Sequence, residues 1–209
     1  MNPVQQIEQV ERRVTSTERD GAATKRVILR RRYQAEVADL WDALTSAERL
    51  PRWFLPITGD LRLGGRYQFE GNAGGTIEVC RPYELIKATW EYDGETSWVE
   101  LRLDAESDSR TMIELVHEAP VNDHWRRYGP GAGGVGWDLG LVALAEHLAT
   151  GETVVEAEWT TTDAGRGALL RASEEWARAA IADGEDPQVA KASAERTAAA
   201  YTGAPEPTA

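Results

Sequence analysis

The stretch that most constrains how this chain can fold is residues 135–150, which reads as one long helix with a continuous apolar side. Its large apolar residues recur at the spacing of a single helical face: Trp137, Leu141, Leu144 and Leu148. Gly151 follows directly, and glycine adopts the left-handed backbone of a helix C-terminus at little cost. We therefore predict a long helix that begins near Val135 and lies across another layer of structure.

That layer is predicted to be an antiparallel sheet. Residues 24–33 alternate like a strand, with Val27, Leu29 and Tyr33 on one side. Two short helices are predicted next, over residues 37–44 and 46–53. Period-two alternation then returns in segments that are separated by turn-sized gaps: 61–63, 65–69, 76–81, 85–92, 97–103 and 112–118. Such spacing is typical of a meander. Residues 120–134 are predicted to be irregular.

The C-terminal quarter is richer in alanine, glutamate and threonine, and it predicts two more helices. One runs from Asp163, as its cap, to Ile181. The other starts at the pair Asp186-Pro187 and stops at Gly203. We thus predict four parts: an N-terminal segment (1–23) with a short helix and an edge strand, a main domain (24–151), a helical extension (152–203) and a disordered tail (204–209).

Charge and composition exclude several function classes. The net charge is −12, which argues against nucleic acid and anionic membrane as partners, because both need a concentrated basic surface. Cys80 is the single cysteine, so an intramolecular disulfide is excluded and a reducing compartment is favoured. No apolar run is long enough to cross a bilayer. We expect a soluble, cytoplasmic protein.

Three sequence stretches carry a family resemblance: LWDALTSAERLPRWFLPITGDLRLGGRYQF (40–69), GGTIEVCRPYELIKATWEY (74–92) and GWDLGLVALAEHL (136–148). They closely resemble the START/polyketide-cyclase (SRPBCC) superfamily, and within it the bacterial branch related to the activator of the heat-shock-protein-90 ATPase. The resemblance implies an α+β helix-grip fold, in which a curved antiparallel sheet wraps around a long C-terminal helix. It does not imply one function, because this fold hosts carriers, receptors and cyclases.

A helix on a concave sheet leaves an elongated apolar cavity, which is the default place for a ligand. Strand parity and the helical stripe select the candidate ligand-binding residues: Trp53, Phe54, Tyr67, Phe69, Ile77, Trp90, Leu101, His117, Trp137 and Leu141. The alternative is that these side chains fill the cavity themselves. His117 is the polar member, able to orient a ligand or to act as an acid or base, although a lone histidine is more often structural.

Signals for other chemistry are weak. His117, His124 and His147 are scattered and form no ligand pair at helical or turn spacing, so no metal site and no cofactor are predicted. The glycines at 131, 133 and 136 match a dinucleotide fingerprint by letters only, because no strand ends just before them. The sequence shows no recognisable pair of a nucleophile and a base, so no catalytic residue is assigned.

Three functions stay open at this stage. The first is non-catalytic binding of a small hydrophobic or amphipathic ligand between the helix and the sheet. The second is a cyclase- or hydrolase-like enzyme that uses His117 as acid or base. The third is a chaperone-activator-like protein-interaction module. A homodimer through the C-terminal helices, with Leu170, Trp176 and Ile181 at its interface, is a further expectation.

Overall fold

The structure is a computed structural model that describes residues 2–206. Its helices and strands follow in the order α1 (Pro3–Glu8), β1 (Glu11–Arg19), β2 (Ala22–Tyr33), α2 (Val37–Thr45), a 3-10 turn (Leu50–Arg52), β3 (Ile57–Gly59), β4 (Arg66–Phe69), β5 (Gly74–Arg81), β6 (Leu85–Tyr92), β7 (Glu95–Ser107), β8 (Arg110–Pro120), α3 (Asp123–Tyr128), α4 (Gly131–Thr150), α5 (Glu156–Thr160), α6 (Asp163–Ala182) and α7 (Pro187–Thr202). The predicted α+β class is confirmed. Of the predicted tail, residues 207–209 lie outside the described residues.

The strands hydrogen-bond in the order β1-β2-β8-β7-β6-β5-β4-β3, and neighbours from β3 to β8 run antiparallel. The chain divides into two compact units, which we call the terminal unit and the sheet unit. The terminal unit comprises the described residues up to Ile28, Pro120–Val142 and those from Glu156 onward. The sheet unit comprises Leu29–Ala119 and Ala143–Val155. The division therefore falls within β2 and within α4.

The sheet unit holds the antiparallel meander that the alternating pattern predicted. Alternate residues of β8 are buried, among them Ile113 and Leu115, as its two-residue period requires. The helix α2 buries Leu40, Ala43 and Leu44, which recur at helical spacing. The predicted strand over residues 61–63 is wrong: these residues form a turn, closed by the backbone N–H of Gly65 donating to Arg62 O at 2.8 Å.

The terminal unit packs helices around the first strands. The helix α6 packs against α1, β1, α5 and α7, and α3 packs against α7. The predicted caps of α7 are confirmed, because Asp186 accepts from the backbone N–H groups of Gln188 and Val189 and Gly203 is left-handed. Asp163 as the cap of α6 is wrong. The residue before it, Thr162, accepts from Gly165 N instead, and Asp163 lies in the first turn.

Two expectations about the long helix are corrected. It begins at Gly131 rather than near Val135, and α3 precedes it where residues 120–134 were predicted to be irregular. The buried residues do not form one stripe, since Asp138 and Leu139 are as buried as Leu141. The reason is a second neighbour: Trp176 of α6 donates from its indole to Asp138 Oδ2 at 2.9 Å, on a side of α4 outside the predicted stripe.

The burial of Trp176 bears on the predicted homodimer. Trp176 is 1% exposed, whereas Leu170 and Ile181 are 49% and 40% exposed. A homodimer through the C-terminal helices stays a prediction; of the three residues expected at its interface, Leu170 and Ile181 are exposed and Trp176 is not. Among the described residues, no helix is long and apolar enough to cross a membrane.

Candidate functional site

A row of aromatic rings crosses one face of the sheet unit. Trp53 and Phe54 follow the 3-10 turn, Phe69 ends β4, Trp90 lies on β6 and His117 on β8. Successive ring centroids are 5.6, 5.1, 5.7 and 6.1 Å apart along this series, within the range of favourable ring contacts. Tyr67 joins from the side, 5.5 Å from Phe69. We call these six residues the aromatic row.

Strand register explains how the rings reach one another. Trp90 pairs directly with Ser97, and directly opposed residues share a face. Gly74 pairs with Glu91, so Gly75 lies opposite Trp90 and offers no side chain between the strands that carry Phe69 and Trp90. A Cβ at Gly75 would stand 2.1 Å from Thr89 O. Glycine is therefore required here for the close approach of β5 and β6.

Two hydrogen bonds anchor the apolar end of the row. The Trp53 indole donates to Ala43 O at 2.9 Å, which fixes its ring against α2. The Tyr67 hydroxyl donates to Thr89 O at 2.7 Å. Burial raises the pKa of Tyr67 above its ordinary value, because a phenolate would lose its hydration. Both polar atoms are thus hydrogen-bonded within the protein.

The other end of the row is polar. The Ser97 hydroxyl donates to Trp90 O at 3.0 Å, and its oxygen lies 2.8 Å from His117 Nε2. The two side chains thus form a polar pair at this end of the row. Burial lowers the pKa of His117 to about 4, because the imidazolium would be poorly solvated. His117 is therefore neutral at pH 7.

The remaining predicted site residues lie in two places. Ile77 pairs with Ala88, and Leu101 pairs with Leu115, which puts both on the face of the aromatic row. Trp137 and Leu141 belong to the part of α4 that lies in the terminal unit. The assignment of all ten residues to ligand binding stays a prediction.

Sequence reasoning missed Ser97 and Gly75. Ser97 lies two residues before Val99, so strand alternation could have placed both on the same face of β7. Only the strand register, however, reveals the contact of Ser97 with His117. His147, one of the other histidines, has a structural role. Its Nδ1 lies 2.7 Å from Glu152 O and its Nε2 lies 3.4 Å from Arg49. In the described part of the chain, no group of three or more His, Cys, Asp or Glu could hold a metal ion.

Comparison with known proteins identifies the fold's relatives. The crystal structure of CalU16 from Micromonospora echinospora is 33% identical over 81% of this chain and 97% of that chain, with a TM-score of 0.64. The solution NMR structure of the same protein gives 30% identity over 83% and 96%, with a TM-score of 0.69. DynU16, described as a putative protein in the dynemicin biosynthetic locus, shares the fold at 19% identity over 61% and 48%, with a TM-score of 0.51. No curated protein matches.

The family itself is shown by the central part of the chain. Residues 34–149 match the family described as Activator of Hsp90 ATPase homolog 1-like protein. This span contains the strands and most of the long helix on which the SRPBCC resemblance was based, and that resemblance is confirmed. The chain is a member of the Activator of Hsp90 ATPase homolog 1-like family, within the SRPBCC superfamily.

Proposed function

We propose that the protein binds a small hydrophobic or amphipathic molecule without covalent chemistry, and that the aromatic row is its binding surface. The observation that carries the proposal is the unbroken series of ring contacts from Trp53 to His117. Binding sites for small molecules are typically apolar and aromatic, with a few polar groups that fix orientation. The pair His117–Ser97 supplies those polar groups at one end.

The ionisation states of the row favour a neutral ligand. The raised pKa of Tyr67 keeps its phenol protonated, and the lowered pKa of His117 keeps its imidazole uncharged at neutral pH. The side chains of the row are thus themselves uncharged at neutral pH, and an uncompensated charge on an apolar surface is strongly disfavoured. We therefore expect a planar or flexible apolar molecule that carries one hydroxyl or carbonyl group.

The enzyme hypothesis receives less support from the same geometry. A general base works best when its pKa is near the working pH, whereas burial lowers the pKa of His117 to about 4. The Ser97 hydroxyl also lies within hydrogen-bond distance of Trp90 O, so this carbonyl competes with His117 for its proton. The interaction-module hypothesis rests on the family's description alone, and family membership does not fix function.

We place this binding function in the cytoplasm. The basis is the single cysteine, Cys80, which fits a reducing compartment. The net charge of −12 continues to favour a small molecule over nucleic acid or an anionic membrane as the partner.

Native mass spectrometry tests the proposal. The purified protein is incubated with an organic extract of the producing cells, and bound molecules are released and identified. The variant Trp90→Leu removes a central ring. Trp98→Leu serves as the matched control, because it changes the same residue type on the neighbouring strand β7, on the opposite face of the sheet. We expect an adduct on the wild type and on the control that is lost in Trp90→Leu. A bare protein mass throughout, or an adduct that survives in Trp90→Leu, would contradict the proposal.

A further inference from the structure

A pocket of about 260 Å³ lies within the terminal unit and shares no residue with the aromatic row. Its walls come from β1 and β2, from the segment after β8, from α3 and the turn that follows it, and from the facing parts of α6 and α7. At interior packing density, with roughly 20 Å³ for each non-hydrogen atom, this space accommodates a molecule of about thirteen such atoms.

The floor of the pocket is apolar and built from short side chains. Val14, Ala180 and Ala190 line it and are each at most 4% exposed. A Cβ at Gly129, whose φ is +62°, would lie 3.2 Å from Ser193 Cβ, so glycine lets the end of α3 approach α7 closely. The apolar body of a small molecule can therefore be buried against this floor.

Both cations of the lining are paired with carboxylates of the protein. Lys25 Nζ lies 2.7 Å from Asp183 Oδ2, and the Ser16 hydroxyl donates to the same oxygen at 3.1 Å. Arg126 Nη1 lies 2.8 Å from Asp123 Oδ1. The charges of Lys25 and Arg126 are thus already balanced, and neither requires an anionic ligand.

Glu185 is the acidic residue of the lining. Gly184, with a φ of +99°, turns the chain at the end of α6, and Glu185 N donates to Ala180 O at 3.0 Å, which fixes the residue beside the pocket. The Glu185 carboxylate accepts from the backbone N–H of Asp186 at 3.2 Å. Within residues 2–206 the structure shows no cation paired with it, so Glu185 differs in this respect from the other charged residues of the lining.

The charge balance of the pocket therefore favours a cationic ligand. The lining and its ion-pair partners hold two cations and three carboxylates, those of Asp123, Asp183 and Glu185. The surroundings have the same sign, because residues 151–209 carry eleven acidic and five basic residues, a net charge of −6. Such a field attracts cations and repels anions.

Trp125 supplies an aromatic wall from α3. It lines the pocket and is partly exposed. Its backbone N–H donates to Asn122 Oδ1 at 2.9 Å, which holds the start of α3 in place. The structure shows no ring pair of this indole within residues 2–206. Because an indole face attracts both an apolar body and an ammonium group, Trp125 suits the kind of ligand that Glu185 favours.

We propose that this pocket binds an amphipathic organic cation, in which an apolar ring system carries one ammonium group and the whole molecule has about ten to thirteen non-hydrogen atoms. The ring system lies on the apolar floor beside Trp125. The ammonium group pairs with the carboxylate of Glu185. This ligand is distinct from the neutral molecule proposed for the aromatic row, and the site gives the C-terminal helices a binding function of their own.

Isothermal titration calorimetry at pH 7 and low ionic strength tests the proposal with three probes of nearly equal size. Tryptamine is the cation, tryptophol is its neutral analogue and indole-3-acetate is the anion. We expect tryptamine to bind about threefold more tightly than tryptophol, because a pair with an exposed carboxylate is modest in strength. Indole-3-acetate should bind more weakly than both, and added salt should reduce the preference for tryptamine.

Two exposed residues of the lining test the sign of the charge effect. Glu185→Gln should weaken tryptamine about threefold, whereas Arg126→Gln should strengthen it up to about twofold. Neither change should alter tryptophol binding. Trp125→Leu should weaken tryptamine and tryptophol about fivefold each. Glu195→Gln is the matched control, since it removes an exposed carboxylate of α7 outside the lining, and it should leave the titrations unchanged.

Trp90→Leu is the control that separates this pocket from the aromatic row, and it should leave the tryptamine titration unchanged. Indole-3-acetate that binds as tightly as tryptamine would overturn the proposal, as would a preference for tryptamine over tryptophol that persists in Glu185→Gln. Absence of binding at millimolar tryptamine, or loss of binding in Trp90→Leu, would overturn it as well.

Discussion

Arg12 and Asp138, which are 126 positions apart in the chain, form a two-pronged buried ion pair. Arg12 Nε and Nη2 reach the carboxylate at distances of 2.8 to 3.1 Å. Their side chains are 4% and 0% exposed. The Trp176 indole donates to the same carboxylate, and the guanidinium also donates to Ile7 O and Val10 O. The pair ties β1, α4 and α6 into one terminal unit.

This pair leads to a prediction about stability. Arg12→Met leaves Asp138 charged and buried without its cation, so we expect a loss of about 3 to 5 kcal/mol in the free energy of unfolding. The double variant Arg12→Met/Asp138→Leu removes both charges and should lose less than Arg12→Met alone. Urea unfolding of the four proteins in a double-mutant cycle measures this coupling. Additive losses from the two single changes would show that the pair is not coupled.

The packing around Gly134 leads to a second prediction about stability: alanine at this helical position should destabilise the protein. A Cβ there would lie 2.3 Å from the ring of Trp176, which is buried and unable to move aside. We expect Gly134→Ala to lower the free energy of unfolding by about 1 to 3 kcal/mol. Gly167 on α6 is the control, since its Cβ would meet only Val4 at 3.6 Å. Gly167→Ala should be neutral or stabilising by up to about 1 kcal/mol, and a similar loss at both sites would contradict the packing argument.

His117 predicts a pH dependence of stability. Its pKa is about 4 in the folded protein, against an ordinary 6.5. Between these values the unfolded chain binds a proton that the folded chain does not. The free energy of unfolding therefore falls as pH drops from 6.5 to 4, by up to about 3 kcal/mol. Urea unfolding at pH 7 and pH 4.5 should show a smaller decrease in His117→Gln than in the wild type. An NMR titration midpoint near 6.5 for His117 would refute it.

The packing of the C-terminal helices leads to a prediction about truncation of the chain. α6 packs against α1 and β1, and it supplies Trp176, which is buried and bonded to Asp138. Deletion of residues 155–209 should uncover this apolar surface and leave Asp138 without one of its donors, so the shortened protein should aggregate. Size-exclusion chromatography with light scattering measures the outcome. A monomeric truncation with unchanged stability would count against this account.

Local signals explain what the sequence could predict. The ends of α7 were found because Asp186, Pro187 and Gly203 act through neighbouring backbone groups. Trp90 and His117 were predicted to share one face of the sheet, because alternate residues of a strand point to the same side. Such signals depend on residues that are close together in the sequence, and they predicted the face of the sheet on which most of the aromatic row lies.

Long-range packing explains what the sequence could not predict. Gly131 and Gly134 look like loop residues, yet they lie in α4, where the missing Cβ of Gly134 admits the ring of Trp176. The bond between Ser97 and His117 depends on the register of β7 and β8, which no local pattern specifies. The partner of Asp138 lies 126 positions away.

NMR mapping of a bound probe shows directly whether the aromatic row binds a ligand. A neutral planar probe with one hydroxyl, 2-naphthol, is titrated into ¹⁵N-labelled protein with side-chain and backbone NMR signals assigned. We expect the largest shifts at Phe69, Trp90, Ser97 and His117, and we expect Trp90→Leu to weaken binding while Trp98→Leu does not. Saturating 2-naphthol that leaves these signals unmoved, or shifts confined to other residues, would contradict the claim that the aromatic row binds a ligand.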